Sequence, residues 1–240
     1  MKLAVVTGAA AGIGKACAVA LARSGMAVLI LDKDPAAVEQ SVRSIRSESS
    51  SDEITGQAVD LTDESATRTI LSGLDEVWCL VNNAGVFEEK PFQEISGLDF
   101  DRMLNIHLKV PASLSQLLVP KMRDGGRIVN IVSRSILGAR NYSHYVAAKN
   151  ALAGLTKCMA IELADQRILV NAIAPGLIET GIFERMTAEQ KDHHLSMQPG
   201  RQIGKPSDVA HLVSFLASPE TQFITGQTIF IDGGRSLGAR

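Results

Sequence analysis

Long apolar runs are missing from this 240-residue chain. No stretch approaches the roughly 18 consecutive apolar residues that a membrane-spanning helix requires, so no bilayer partner is expected. An excess of basic charge is missing as well: 24 Lys and Arg stand against 26 Asp and Glu, for a formal net charge of −2. Nothing in that balance draws the chain to nucleic acid or to an anionic lipid surface. Cysteine is scarce. Cys17, Cys79 and Cys158 are odd in number, far apart and outside metal-ligand spacing, which excludes a disulfide framework and suits buried thiols in a reducing cytosol. His193 and His194 follow Asp192. Neighbouring histidines on one segment rarely share an ion, so this stretch reads as a solvated loop and no metal site is expected.

What is present is ordinary for a globular protein, with 45% hydrophobic and 21% charged residues. The length suits one large domain that buries most of its apolar surface. Met1-Lys2-Leu3-Ala4-Val5-Val6 resembles the start of a short secretory leader. The glycines that follow have a better use, and the cytoplasm is the expected compartment.

Short apolar runs at 3–7, 27–31, 56–59, 77–82, 127–132, 168–172 and 228–231 read as strands, rich in Val, Ile and Leu on both faces. Helical spacing occupies 12–24, 35–47, 63–72, 98–119, 142–164 and 206–217. This alternation predicts a single-domain α/β fold over 1–240, a doubly wound parallel sheet of about seven strands flanked by helices. Residues 181–200 form the longest segment outside the alternation and are expected to cover a substrate.

The first strand runs into Thr7-Gly8-Ala9-Ala10-Ala11-Gly12-Ile13-Gly14, and a helix follows at once. Glycines there let backbone N–H groups approach a pyrophosphate, and the helix N-terminus adds its positive dipole. The spacing is G-x-x-x-G-x-G, not the general G-x-G-x-x-G fingerprint. Asp32 ends the second strand 18 positions after Gly14, where a carboxylate accepts hydrogen bonds from an adenosine ribose. The same carboxylate repels the 2′-phosphate of NADP, and Ala11 offers no cation to receive one. NAD is therefore the expected cofactor. Lys33 is the one nearby charge that keeps NADP open.

Tyr145 and Lys149 stand four positions apart, on one helical face. A phenol titrates near pH 10, and a cation at about 4–6 Å lowers that value by roughly one to three units, the shift a proton-transfer catalyst needs. Tyr142 lies seven positions from Lys149, about 10 Å along the axis. That is too far for activation, so Tyr142 is expected to be pocket wall.

Read together, these residues resemble the short-chain dehydrogenase/reductase family in its shorter branch, over the whole chain. The glycine turn through Gly8, Gly12, Ile13 and Gly14 carries the resemblance. So do Asp60-Leu61 after the third strand, Asn82-Asn83-Ala84-Gly85 on the fourth, the strand motif running to Ser133, and the Tyr145/Lys149 pair. Pro175-Gly176 with Ile178 and Thr180, and Asp232-Gly233-Gly234, complete it. The family's usual Arg before Val-Asn is Leu169 here, and the interval from Ser133 to Tyr145 is 12 positions, one shorter than the commonest arrangement.

The resemblance implies a Rossmann-type NAD-binding domain, a homotetramer packed through the 98–119 and 142–164 helices, and hydride transfer between the cofactor and a secondary alcohol or ketone. It implies Asn105, Ser133, Tyr145 and Lys149 as catalytic residues. For the cofactor it implies Gly8, Gly12, Ile13, Gly14, Asp32, Asp60, Leu61, Asn83, Ala84, Gly85, Pro175, Gly176, Ile178 and Thr180, with Tyr145 and Lys149. Ser135 is a rival to Ser133, since residues two apart on an extended chain face one way. Two alternative functions stay open: an NADPH-dependent 3-oxoacyl-carrier-protein reductase, and a dinucleotide-binding regulator without catalysis.

Overall fold

The computed structural model describes residues 1–123, 125–184 and 186–238. Seven parallel strands form one sheet in the order β3-β2-β1-β4-β5-β6-β7. They are β1 (Leu3–Thr7), β2 (Ala27–Asp32), β3 (Ile54–Ala58), β4 (Cys79–Asn82), β5 (Gly126–Ile131), β6 (Ile168–Pro175) and β7 (Thr228–Ile231). Alternation along each strand sends neighbouring side chains to opposite faces. Ala4, Val6, Val28 and Ile30 enter one core, and Val5, Leu29 and Leu31 the other. The first core is closed by α1 (Gly12–Arg23), α2 (Pro35–Ser49) and a late helix at Pro206–Ala217, through Leu21, Ile45 and Val213. The second is closed by α3 (Glu64–Ser72) and the helices of the chain's middle, through Leu71, Leu114 and Met159. Each such side chain, buried completely, contributes about 1.5–3 kcal/mol. The fold is the doubly wound α/β sheet that the alternation predicts.

The chain builds outward from β1 in one direction and returns to the other side at β4. That reversal leaves a crevice at the carboxyl ends of β1 and β4, where open α/β sheets bind ligands.

Two segments depart from the sequence reading. The expected helix over 98–119 is two helices, α4 (Gly97–Leu104) and α5 (Val110–Leu118), joined by a wide π turn at Asn105–Lys109. Pro111 has no N–H to donate to the carbonyl four positions back, that of His107, and its ring crowds that carbonyl. The helix widens there. Residues 181–200, expected as a loop, carry α7 (Gly181–Glu184) and α8 (Ala188–Ser196). A reciprocal cap starts α8: Gln190 donates its N–H to the Thr187 hydroxyl at 3.2 Å, and Thr187 donates its N–H to the Gln190 side chain at 2.9 Å. The excursion is clasped at its base by the Ile178–Gly204 bridge. The remaining helices are α6 (Ser143–Glu162) and α9 (Pro206–Ala217). Among the described residues, no helix is long and apolar enough to cross a membrane.

Candidate active site

A cavity of about 590 Å³ opens at the crevice. Its first wall is the turn after β1. Ala11 occupies the N-cap of α1 with no side-chain cap, and no acidic residue stands in the first turn. The first N–H groups of that helix are thus left for a ligand, and Ala11, Gly12 and Ile13 line the cavity. Gly14 serves packing: a Cβ there would lie 2.2 Å from the Gly8 carbonyl oxygen, so only glycine lets the turn fold onto the helix. Bare amides beside a cavity at a helix N-terminus suit a pyrophosphate. The residues present fit a dinucleotide.

The loop after β4 is fastened to β1. Asn83 and Ala84 donate their N–H groups to the Thr7 hydroxyl, each at 3.0 Å, and the Asn83 amide donates to the carbonyls of Thr7 and Gly8. Asn82 donates to the Asn130 side chain at 2.8 Å, and Asn130 to the Thr156 hydroxyl at 2.9 Å. This buried polar chain ties β4 to β5 and β5 to α6, the helix carrying Tyr145 and Lys149.

Asp32 ends β2 with its carboxylate held by two backbone donors, Ala10 at 3.0 Å and Lys33 at 2.8 Å. The chain beyond β3 returns to the same place, where Val59 donates its N–H to the Asp32 carbonyl at 2.7 Å. Asp60 accepts both the N–H and the hydroxyl of Thr62, bonds that hold its carboxyl below the usual range. Leu61 is buried in the second core. Asp32, Asp60, Leu61, Gly8, Gly14 and Ala84 do not line the cavity. Gly12, Ile13, Asn83, Gly85, Ser133, Tyr145, Lys149, Pro175, Gly176, Ile178 and Thr180 do.

Ser133 and Ser135 both line it, and their hydrogen bonds tell them apart. Ser135 donates its N–H at 3.2 Å and its hydroxyl at 2.9 Å to the Ser133 oxygen. Having accepted twice, Ser133 has its own proton to give, and it also bonds Tyr145. Ser135 is the support.

Tyr145 and Lys149 depart from expectation in one respect. Burial pushes the Tyr145 phenol up to about 12, opposed only by the bond to Ser133. The Lys149 ammonium donates to the Ile131 carbonyl at 2.7 Å, with Nζ 5.7 Å from the Tyr145 ring centre. Burial also loosens its own proton, to about 7. Both groups are desolvated in one pocket, and burial favours the neutral form of each.

The sequence reading missed His107. Asn105 begins the π turn and is not among the residues lining the cavity, whereas His107, two positions on, lines it and is 2% exposed. Its Nε2 lies 2.8 Å from the Val86 carbonyl, which can only accept, so Nε2 carries the proton. Nδ1 is buried without a partner among the described residues. Desolvation, with the Lys149 charge nearby, lowers the imidazole to about 3. The ring stands edge-on to Tyr145, centres 5.1 Å apart. The signal for it was Pro111, four positions after His107 in a helical pattern, since π turns often sit at functional sites.

Phe87 stands edge-on to Tyr145 and to Tyr142, at 5.3 and 5.1 Å, so Tyr142 is wall, as expected. Met186, Gln190 and His194, four positions apart in turn, line the far side. His194 is thus a cavity residue on a helix and not part of a solvated loop. No group of three or more potential metal ligands occurs among the described residues.

The family description "Enoyl-(Acyl carrier protein) reductase" matches residues 8–236. The chain is 34% identical to a hydroxy(phenyl)methyl-succinyl-CoA dehydrogenase subunit of Thauera aromatica, over 99% of this chain and 98% of that one. It is 34% identical to a 3-oxoacyl-(acyl-carrier-protein) reductase of Thermotoga maritima, over 97% of each. A solved variant of a Serratia marcescens short-chain dehydrogenase/reductase superposes with a TM-score of 0.91 at 31% identity, covering 98% of each chain.

Proposed function

We propose hydride transfer between NAD and a secondary alcohol or its ketone as the activity of this chain, which belongs to the short-chain dehydrogenase/reductase family of nicotinamide-dependent oxidoreductases. The observation that carries the proposal is convergence. Ser133, Tyr145 and Lys149 face one cavity, and that cavity runs to the bare N-terminus of α1.

The glycine turn would hold the pyrophosphate, Asp32 the adenosine ribose, and the 175–180 segment the nicotinamide end. Bound NAD supplies the hydride acceptor and, in its oxidised form, a cation. Tyr145 takes the hydroxyl proton in oxidation and returns one in reduction. Ser133 donates to the substrate oxygen and steadies its developing charge. Lys149, anchored on Ile131, would hold the nicotinamide ribose. His107 positions the Tyr145 ring from the π turn, which Asn105, implied as catalytic by the resemblance, begins. The 181–200 segment covers the substrate. Leu98 and Ile161, 80% and 78% exposed on α4 and α6, support homotetramer packing through those helices, in a cytoplasmic enzyme.

A second reading is favoured by the relatives' names. Several are 3-oxoacyl-(acyl-carrier-protein) reductases, and such a role here would go with NADPH. The Asp32 carboxylate opposes it. Steady-state rates over a panel of alcohols and ketones, with both cofactors, decide. Turnover with NAD and simple alcohols supports the proposal, NADPH-only turnover of 3-oxoacyl thioesters supports the second reading, and a protein that binds dinucleotide with no turnover is the regulator.

A further inference from the structure

The same cavity has a cationic end that hydride transfer does not use. Arg134 opens the short turn Arg134–Leu137 directly after Ser133, and Arg235 opens the turn Arg235–Leu237 after β7. Far apart in sequence, both line the cavity. Neither forms an ion pair among the described residues, and Arg235 rests its Nη2 3.1 Å from the weakly accepting sulfur of Met197. From the geometry we infer that Arg134 and Arg235 receive an oxyanion carried by the substrate. The enzyme would then act on oxo or hydroxy compounds bearing a carboxylate or phosphate beyond an apolar spacer.

Like charges are placed together here, with no carboxylate in ion-pair contact with either among the described residues. Burial and the Arg134 charge both weaken the hold of Arg235 on its proton, and both guanidiniums act on the Tyr142 phenol. A chain with net charge −2 has no general surplus of cations, so two in one cavity are a local arrangement whose repulsion an anion relieves. The planar guanidinium fork matches the paired oxygens of a carboxylate or phosphate. Glu89 is the opposing carboxylate on the cavity wall, and it accepts from the Asn141 amide at 3.3 Å. Asp232 also acts on Arg235, but it is not among the residues lining the cavity and its carboxylate is taken up by the N–H groups of Gly234 and Ser236, so on the wall two guanidiniums face one carboxylate. Nδ1 of His194, buried and unpartnered among the described residues, offers a further polar contact.

Phe87 sets the spacing. It touches Tyr145 on one side and Tyr142 on the other, so the reacting carbon at Tyr145 and the cations beside Tyr142 are separated by an aromatic step. A substrate that satisfies both ends carries its carbonyl or carbinol at one end, an alkyl or aryl stretch over Phe87, and an oxyanion at the other.

This inference rests on the proposed activity, and the test separates the two. Calorimetry on the dinucleotide-loaded protein compares 4-oxopentanoate, its primary amide and 4-oxopentyl phosphate, with a second set two carbons longer. An oxyanion is expected to bind at least roughly tenfold more tightly than the amide, about the effect of one charge-assisted hydrogen bond. The better anion identifies its chemical source. Arg134→Gln and Arg235→Gln should each collapse that ratio towards one, Arg→Lys should restore part of it, and added salt should weaken anion binding in the wild type. Equal binding of acids and amides by the wild type overturns the inference, as does an unchanged ratio in both Gln variants. Calorimetry needs no turnover. Anion preference in a protein that turns over nothing would leave this site standing while the hydride reading falls, and turnover of ketones with no anion preference would do the reverse.

Discussion

A methyl group on Gly85 would lie 2.3 Å from Cε1 of His107. The loop after β4 and the π turn between α4 and α5 therefore fit only because residue 85 has no side chain, and the imidazole so admitted forms one wall of Tyr145. Gly85→Ala should displace the imidazole, lower kcat by about tenfold or more, and cost about 1–3 kcal/mol through overpacking. Adding His107→Ala should recover part of that stability. A double-mutant cycle in denaturant measures the coupling, and additive losses would mean that the two residues do not press on each other.

His107 also sets an acid limit. The folded protein holds its pKa at about 3, against 6.5 for the unperturbed group. As pH falls below about 6.5, the unfolded chain takes up a proton that the folded one refuses. Stability should therefore be complete above that value and decline as pH falls towards 3. His107→Asn removes this term, so its unfolding free energy should fall less steeply over the same window. Parallel slopes for variant and wild type would show that the imidazole is not held neutral.

Tyr145→Phe keeps the ring against His107 and Phe87 and removes the phenol. Turnover should fall by orders of magnitude while dinucleotide binding, read by calorimetry, persists. Tyr142→Phe should have a much smaller effect on kcat. A dead Tyr142→Phe beside an active Tyr145→Phe would reverse the assignment.

Ser133 and Ser135 differ in what they can donate. Ser133→Ala should cost roughly 10²-fold in kcat, as loss of an oxyanion-type donor does. Ser135→Ala removes two bonds that orient Ser133 and should cost less, about tenfold. Comparable rates for Ser133→Ala and wild type would transfer the role to Ser135.

Asp32 should make NAD preferred over NADP by at least about tenfold in kcat/KM, since a charge-assisted contact is worth about 1.5–3 kcal/mol. Asp32→Ala should lose most of that preference, chiefly by weakening NAD, with Lys33 then free to meet a 2′-phosphate. Equal use of both cofactors by the wild type would bring forward the NADPH-dependent reductase reading.

The order of elements, the parallel sheet and the glycine turn were legible in the sequence because each is written locally: short runs apolar on both faces in β1 and β2, helical spacing in α1 and α6, a bare turn ahead of Gly14. The Tyr145/Lys149 pair was legible for the same reason, since four positions on a helix fix a shared face. What lay beyond that spacing came from contacts between distant segments. The π turn at Asn105–Lys109, just ahead of Pro111, puts His107 on the cavity wall, and Gly85 in the loop after β4 admits it. Burial raises the Tyr145 phenol and loosens the Lys149 proton, while Lys149 donates to the Ile131 carbonyl. The two bonds from Ser135 to the Ser133 oxygen exist only once the turn after β5 has folded. Arg134 and Arg235 are unremarkable in sequence and meet only in the folded chain. Local periodicity specifies where backbone and side chain point along one element, whereas desolvation and charge depend on everything packed around a group, and only the tertiary structure supplies that.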